Sequence, residues 1–199
     1  MTTMSTRGVL IDTIGAADGA GLRLKQAVLV VVGVAALVIA SNIRVPMWPV
    51  PVTMQTFAVL TIGAAYGAGL GLVTILTWLA LGAAGFAVFS GDNAGLSYFA
   101  GPTAGYLAGF AVAAFVVGRL AQRGWSESVA GMIGALLIGN AIIYLIGLPW
   151  MAYLFLADKG AAWVMQWGMT NFLLGDALKL LLAALLIPAV WKLVGSARG

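Results

Sequence analysis

Long stretches without a charged residue dominate the chain and define its elements. Residues 26–43, 45–91, 93–118 and 128–157 contain no Asp, Glu, Lys or Arg. A helix crossing the hydrocarbon core of a bilayer needs about 20 apolar residues. The first stretch therefore holds one span. The second, 47 residues long, holds two, split around Gly67, Gly69 and Gly71. The third holds one, from Gly101 to Gly118. The fourth has room for one long span or a tight pair; one tilted helix broken at Gly147-Leu148-Pro149 is the simpler reading, because no polar turn interrupts it. A last span runs from Thr170 to Trp191. The pattern predicts an all-α integral membrane protein with six transmembrane helices, near 26–41, 53–67, 69–89, 101–118, 129–156 and 170–191. They form one membrane domain over 25–193, between a loose N-terminal tail (1–24) and a short C-terminal one (194–199).

Lys and Arg near the span ends orient the bundle. With six spans both termini share a side, which collects Arg7, Arg23, Lys25, Arg119, Arg123, Lys192 and Arg198. The other side collects only Arg44 and Lys159, while Lys179 lies within a span. Seven against two predicts cytoplasmic termini. A competing reading takes 27–40 as the apolar core of a signal peptide with a weak cleavage site at Val38-Ile39-Ala40. The long leader of mixed charge and the five-span product stand against it.

Composition narrows the function. Charged residues make up 8% of the 199, against about 25% in ordinary soluble domains. That excludes a disordered chain, a nucleic-acid binder and a water-soluble secreted enzyme. There is no Cys and no His, which removes thiolate and imidazole metal sites, thiol nucleophiles and Ser-His-Asp triads. No Gly-Lys dipeptide occurs, so the chain has no Walker A loop. A lone carboxylate within the spans forms no aspartyl dyad. These absences predict a protein that is not an enzyme and holds no cofactor or metal.

Glycine is abundant, at 27 residues, about twice the usual share of roughly 7%. It recurs every fourth residue at Gly63, Gly67, Gly71, at Gly101, Gly105, Gly109, and with Ala135 at Gly131 and Gly139. Small-xxx-small faces of this kind let helices in lipid pack closely. Ala36 and Ala40 make a similar notch on the first span, either for packing or for docking another membrane protein. Trp48, Trp150, Trp163 and Trp167 fall near the predicted outer boundary and Trp125 and Trp191 near the inner one, as an aromatic belt does. Trp78 lies mid-span, where it is a packing residue or part of a pocket wall.

Three features carry the candidate chemistry. Asp176 and Lys179 are the only ionisable acid and base within the spans. Each costs roughly 2.5–3.5 kcal/mol at a helix centre, so such residues face a cavity or a partner. Three apart, they share a helix face and neutralise each other, either as a structural pin or as the polar patch of an outward-opening pocket. The first connection has prolines at 46, 49 and 51, which stiffen it and withhold amides. Because it is also apolar, it fits a lid. The polar, glycine-rich stretch Phe89-Ser-Gly-Asp-Asn-Ala-Gly-Leu-Ser-Tyr98 is a third outer element.

Pro49-Val-Pro-Val-Thr-Met-Gln-Thr-Phe57, Leu81-Gly-Ala-Ala-Gly-Phe86 and Gly101-Pro-Thr-Ala-Gly-Tyr-Leu107, in this order and at these spacings, resemble the BioY family. Its members are biotin-specific substrate-binding (S) components of energy-coupling factor transporters. The likeness covers residues 25–193 and implies a six-helix S-component fold in the bacterial cytoplasmic membrane, binding biotin from outside. It also implies a transmembrane coupling protein and cytoplasmic ATPase subunits as partners, with self-association left open. Asp176 and Lys179 match the family's Asp and Lys on the last helix, and Asn93 is similarly placed to its loop Asn. The implied ligand set adds Gln55, Trp78, Phe89, Tyr106 and Arg44, the ring being covered by Trp78, Tyr106, Phe89 and the lid residues Val52 and Met54. Pro46, Pro49, Pro51 and Thr53 would form the gating loop, and Ala36 and Ala40 the docking notch. Asp176 accepts from ureido N–H groups and Lys179 donates to the ureido oxygen, or Lys179 meets the valerate instead. Arg44 meets the valerate or is a solvated anchor. Two alternatives remain: the same scaffold serving another small vitamin, and either a self-sufficient carrier coupled to an ion gradient through Asp176 or a membrane scaffold with no ligand, in which the Asp176–Lys179 pair is structural.

Overall fold

Helices account for most of residues 8–13 and 18–196, the part of the chain that the computed structural model describes. They are α1 (Gly19–Asn42), α2 (Gln55–Ala83), α3 (Ala104–Ala121), α4 (Val129–Lys159), the short α5 (Ala161–Met165) and α6 (Asn171–Ser196). A π-turn, Gln166–Thr170, makes α5 and α6 continuous. Among the described residues, five helical stretches are long and apolar enough to cross a membrane. Their outward faces are apolar too, with Leu145, Tyr153 and Leu174 more than 70% exposed. Such a surface has lipid as its natural solvent.

The second of the five stretches doubles back on itself. Gly67 has φ 78° and ψ 175°, a region essentially restricted to glycine. Eight residues of straight helix would separate Gly63 from Gly71 by about 12 Å. Instead, a Cβ built on Gly71 would lie 3.2 Å from the Gly63 Cα. The limbs 55–66 and 68–83 are thus antiparallel neighbours with almost no loop between them. The glycine spacing permits this approach, because a side chain on either glycine would hold the limbs apart. Helix α3 packs against the same pair, with Gly118 seated on the Gly67–Ala68 backbone and Gly63 on Ala114. Across α3 and α4, Gly109 closes on Ile143 and Gly105 on Gly147.

Three expectations change at the segment ends. The helix expected over 69–89 stops at Ala83; Gly85 takes φ 99° and the chain turns into an irregular loop. At the N-terminus, residues expected in a loose tail are structured: α1 begins at Gly19, and Leu10–Thr13 forms a 3₁₀ turn. The Asp12 carboxylate closes this turn by accepting from the Val9 N–H at 2.8 Å. Val9 and Leu10 are buried, and a Val9 methyl lies 3.3 Å from where a Gly67 Cβ would be. The apolar Val9-Leu10-Ile11 run thereby caps the apolar reversal. At the other terminus, helix persists to Ser196 rather than ending near 191. Arg7 and Arg198, counted for orientation, lie outside the described residues.

The Gly67 reversal marks one end of the bundle. Ile11 lies beside Gly21, Leu24 and Lys25, which brings the start of α1 there. Trp191 donates to Ser126 Oγ in the turn after α3 at 3.1 Å, which brings the end of α6 there too. The opposite end carries the proline-rich connection, the 84–103 loop and α5. The candidate site lies beneath that end.

Candidate functional site

The proline-rich connection is built as a clip. Arg44–Val45 pairs antiparallel with Val52–Thr53, Arg44 opposite Thr53 and Val45 opposite Val52. The Met54 N–H donates to the carbonyls of Ala40 and Ile43 at 3.1 and 3.0 Å, tying the clip to the end of α1. Between the two strands the prolines leave few donors to satisfy, so the turn spans the mouth without regular structure. Trp48 reaches across to α4 and α5, its ring 5.8 Å from Phe155 and 5.7 Å from Trp163.

Under this clip lies a cavity of ≈560 Å³, its mouth included. Its walls come from the clip (Val50, Pro51, Thr53), the start of α2 (Gln55, Thr56), Tyr98 and Thr103, α3 (Tyr106, Leu107, Phe110), α4 (Ile143, Tyr144) and α6 (Phe172, Asp176, Lys179). The floor is polar. Asp176 and Lys179 are buried, with Nζ 3.0 Å from Oδ1. The ammonium also donates to Thr56 Oγ1 at 3.1 Å, and the Thr56 hydroxyl donates to Asp176 Oδ1 at 3.3 Å. The Tyr144 hydroxyl donates to Asp176 Oδ2. Three donors therefore converge on the carboxylate, and a carboxylate offers the cavity acceptors. Two of the three ammonium protons are engaged, which leaves one to offer.

A second, outer cavity of ≈880 Å³, again with its mouth, shares Pro51, Tyr98 and Thr103 with the first. It holds Arg44, Pro46, Pro49, Ser90 and Asn93. Asn93 and Arg44 are thus separated from Asp176 and Lys179 by the Tyr98 wall. The Asn93 amide donates to the Ser90 carbonyl at 2.6 Å, and the Arg44 guanidinium packs on Gly91. Burial raises the Tyr98 phenol above its usual range, against the lowering effects of its Thr103 hydrogen bond and the Arg44 charge. The wall keeps its proton at neutral pH.

Trp78 and Phe89, expected to cover a ligand ring, do not line either cavity. Both are fully buried. The Trp78 indole donates to the Val88 carbonyl at 3.0 Å, which anchors the 84–95 loop to α2. Phe89 stacks on Tyr98 with ring centres 4.6 Å apart, so it supports the wall from behind. Gly82 makes room for it; a Cβ there would lie 2.0 Å from the Phe89 ring. Val52 and Met54 likewise stay outside the lining, Val52 resting near Gly175. Tyr106 does line the cavity and is fixed by its hydroxyl bond to the Gly168 carbonyl at 2.7 Å. Gln55, Pro51 and Thr53 are lining residues too. The Ala36–Ala40 notch is not open along its length: Ala36 is exposed, whereas Ala40 is buried where the clip meets α1.

Thr56, Tyr98 and Tyr144 escaped the sequence reading. A threonine one residue past Gln55 and a tyrosine within an apolar run have no individual signature. Thr56 and Tyr144 take their meaning from reaching Asp176 from α2 and α4, and Tyr98 from standing between the two cavities.

An apolar helical bundle enclosing a lidded cavity with an ion-paired floor defines a multi-pass membrane protein that binds a small molecule. The sequence pattern of the BioY family matches residues 12–196, and the chain belongs to that family. Among its relatives, the biotin transporter BioY of Rhizobium etli is 35% identical over 167 residues, covering 78% of this chain and 88% of the relative. The biotin transporter BioY of Thermotoga maritima is 33% identical over 170 residues, covering 85% and 98%. A crystal structure of the S-component for biotin from an ECF-type ABC transporter superposes with a TM-score of 0.76 at 22% identity, covering 88% of this chain and 95% of that one. The fold is shared. The relatives are transport proteins, and the family is not one of enzymes.

Proposed function

We propose that this chain captures biotin from outside the cytoplasmic membrane as the S component of an energy-coupling factor transporter. The observation that carries the reading is the cavity floor. A fixed carboxylate acceptor beside an ammonium with a free proton matches the N–H donors and the strong oxygen acceptor of a cyclic urea. The apolar and aromatic walls suit the thioether ring, and the outer cavity with Arg44 suits the valerate carboxylate. Residues 25–193 form the membrane domain, with α1, the two limbs of α2, α3, α4 and α6 as six crossings. The Gly67 end is cytoplasmic, and so are both termini. A carrier driven through Asp176 by an ion gradient has less support, because that carboxylate is already neutralised by Lys179. The test is a thermal-shift panel of vitamins on the detergent-purified protein. Biotin alone should raise the midpoint, since a ligand stabilises the state it binds by RT ln(1 + [L]/Kd). Protection by another vitamin instead would reassign the ligand, and protection by none would end the reading.

Binding does not by itself accumulate a substrate. Lacking a nucleotide motif, this chain takes its energy from ATPase subunits acting through a transmembrane coupling protein. Helix α1 supports such docking because Val28, Val32, Ala36 and Ile39 form an exposed strip along it. Ala36→Trp is expected to leave biotin affinity intact while weakening co-purification with the coupling protein. Ala40→Trp, at the buried end of the notch, is expected to lower binding as well, because it displaces the clip. Calorimetry together with pull-down separates the two. Unchanged assembly in Ala36→Trp would move the docking face elsewhere.

A further inference from the structure

Behind the Asp176–Lys179 pair, away from the lid, lies a third cavity that the ligand site does not include. It measures ≈190 Å³ with its mouth and lies between α2 (Phe57, Leu60), α4 (Leu136, Asn140) and α6 (Leu180, Ala183), with Thr56, Asp176 and Lys179 as its roof. Its lining is apolar except for that roof and Asn140. The amide is conspicuous in its helix: between Val129 and Ala157, Asn140 is the only amide, aliphatic hydroxyl or charged side chain. A polar side chain at such depth is costly unless it has a task. Its Nδ2 donates to the Leu136 carbonyl one turn back, at 3.2 Å. That bond leaves the amide oxygen as the group to offer.

Helix register puts the amide opposite the pair. Tyr144 on α4 meets Asp176 on the antiparallel α6. One turn along each helix, in opposite chain directions, Asn140 comes level with Leu180 and Lys179, since residues four apart share a face. The ammonium of Lys179 spends one donor on Asp176 and one on Thr56. The cavity has polar partners on two sides and room for about one ordered water.

We infer that Asn140 is a positioning residue for Lys179. Its amide oxygen, directly or through that water, shares with Thr56 the ammonium proton directed to that side. This holds the ammonium against Asp176 Oδ1, leaves the third proton for the ligand, and so sets biotin affinity without touching biotin. A lysine stem is long and flexible. A ligand that contacts both Asp176 and Lys179 needs the ammonium fixed before it arrives, because ordering it on binding would cost affinity. The inference rests on the proposed biotin site, and the two fail separately in the experiment below.

The test is a double-mutant cycle read by calorimetry with biotin, on wild type, Asn140→Leu, Lys179→Met and the double variant. Asn140→Leu removes the acceptor and should weaken binding roughly tenfold, the scale of one hydrogen bond to a charged group. In the Lys179→Met background the same change should have no further effect, because the group it positions is gone. Asn140→Ala, which adds no bulk, repeats the comparison should the leucine variant not fold. An equal loss in both backgrounds would mark Asn140 as merely structural and overturn the inference. So would unchanged affinity in the single variant. A wild-type protein that does not bind biotin would instead end the proposed function.

Discussion

Asp176→Asn is expected to cost about 2–5 kcal/mol of biotin binding, the range seen when one member of a buried, hydrogen-bonded charge pair is removed. The substitution keeps the shape of the side chain and changes its chemistry. An amide places N–H donors where a carboxylate accepted from Thr56, Tyr144 and Lys179, and where the ligand's own donors would bind. It also leaves the Lys179 ammonium buried without the counter-charge of its ion pair. Lys179→Ala should cost a similar amount, by stranding the carboxylate. Because an unpaired buried charge also destabilises a fold, the single variants need a partner measurement. The double variant Asp176→Asn/Lys179→Met carries no buried charge and should melt closer to wild type than either single change, yet still fail to bind. Calorimetry and thermal melting of the same samples give both readings. Wild-type affinity in well-folded Asp176→Asn and Lys179→Ala would return the pair to a structural pin.

Gly67→Val is expected to be among the most damaging single changes to the fold. Its backbone conformation, φ 78° and ψ 175°, costs a side-chain-bearing residue on the order of 1–3 kcal/mol, and more for a β-branched one. A Cβ there would also lie 3.0 Å from the Gln122 amide and 3.3 Å from a Val9 methyl. The reversal, the N-terminal turn docked on it and the seat of Gly118 on α3 would shift together. Gly69→Val is the control: a Cβ there meets nothing within 4 Å. The expected outcome is a clear drop in melting temperature and folded yield for Gly67→Val and little change for Gly69→Val. Equal melting of the two would mean that the reversal tolerates a side chain, and that packing rather than backbone conformation holds it.

The docking of Val9 on Gly67 also shows how far a residue's meaning depends on what it meets. The N-terminal segment is short, mixed in charge and rich in Gly and Ala, which reads as a tail. It is ordered over 8–13 because the reversal exposes an apolar surface that a Val-Leu-Ile run covers.

Much of the bundle was legible in the sequence because lipid imposes a simple rule: a spanning segment excludes charge over its whole length. Charge gaps therefore delimit the helices, and glycines at four-residue spacing mark the division near Gly67. The same rule made Asp176 and Lys179 conspicuous, and the prolines of 46–51 marked the lid. What only the tertiary structure decided is which neutral groups converge. Thr56, Tyr98 and Tyr144 are unremarkable along the chain, since hydroxyls occur in many apolar helices and loops. Asn140, though it stands out in its helix, has no local pattern that names its partner. The roles of Thr56, Tyr144 and Asn140 follow from the register of α4 against α6 and of the first limb of α2 against both. That of Tyr98 follows from the 84–103 loop, which sets it between the two cavities. Trp78 and Phe89 had suitable chemistry and position along the chain, but the turn after Ala83 places them behind Tyr98. Ala40 shares a helix face with Ala36, yet the clip buries it. Helix formation is local and follows composition; the orientation of a side chain in a packed bundle depends on contacts between segments distant in the chain, which no local pattern encodes.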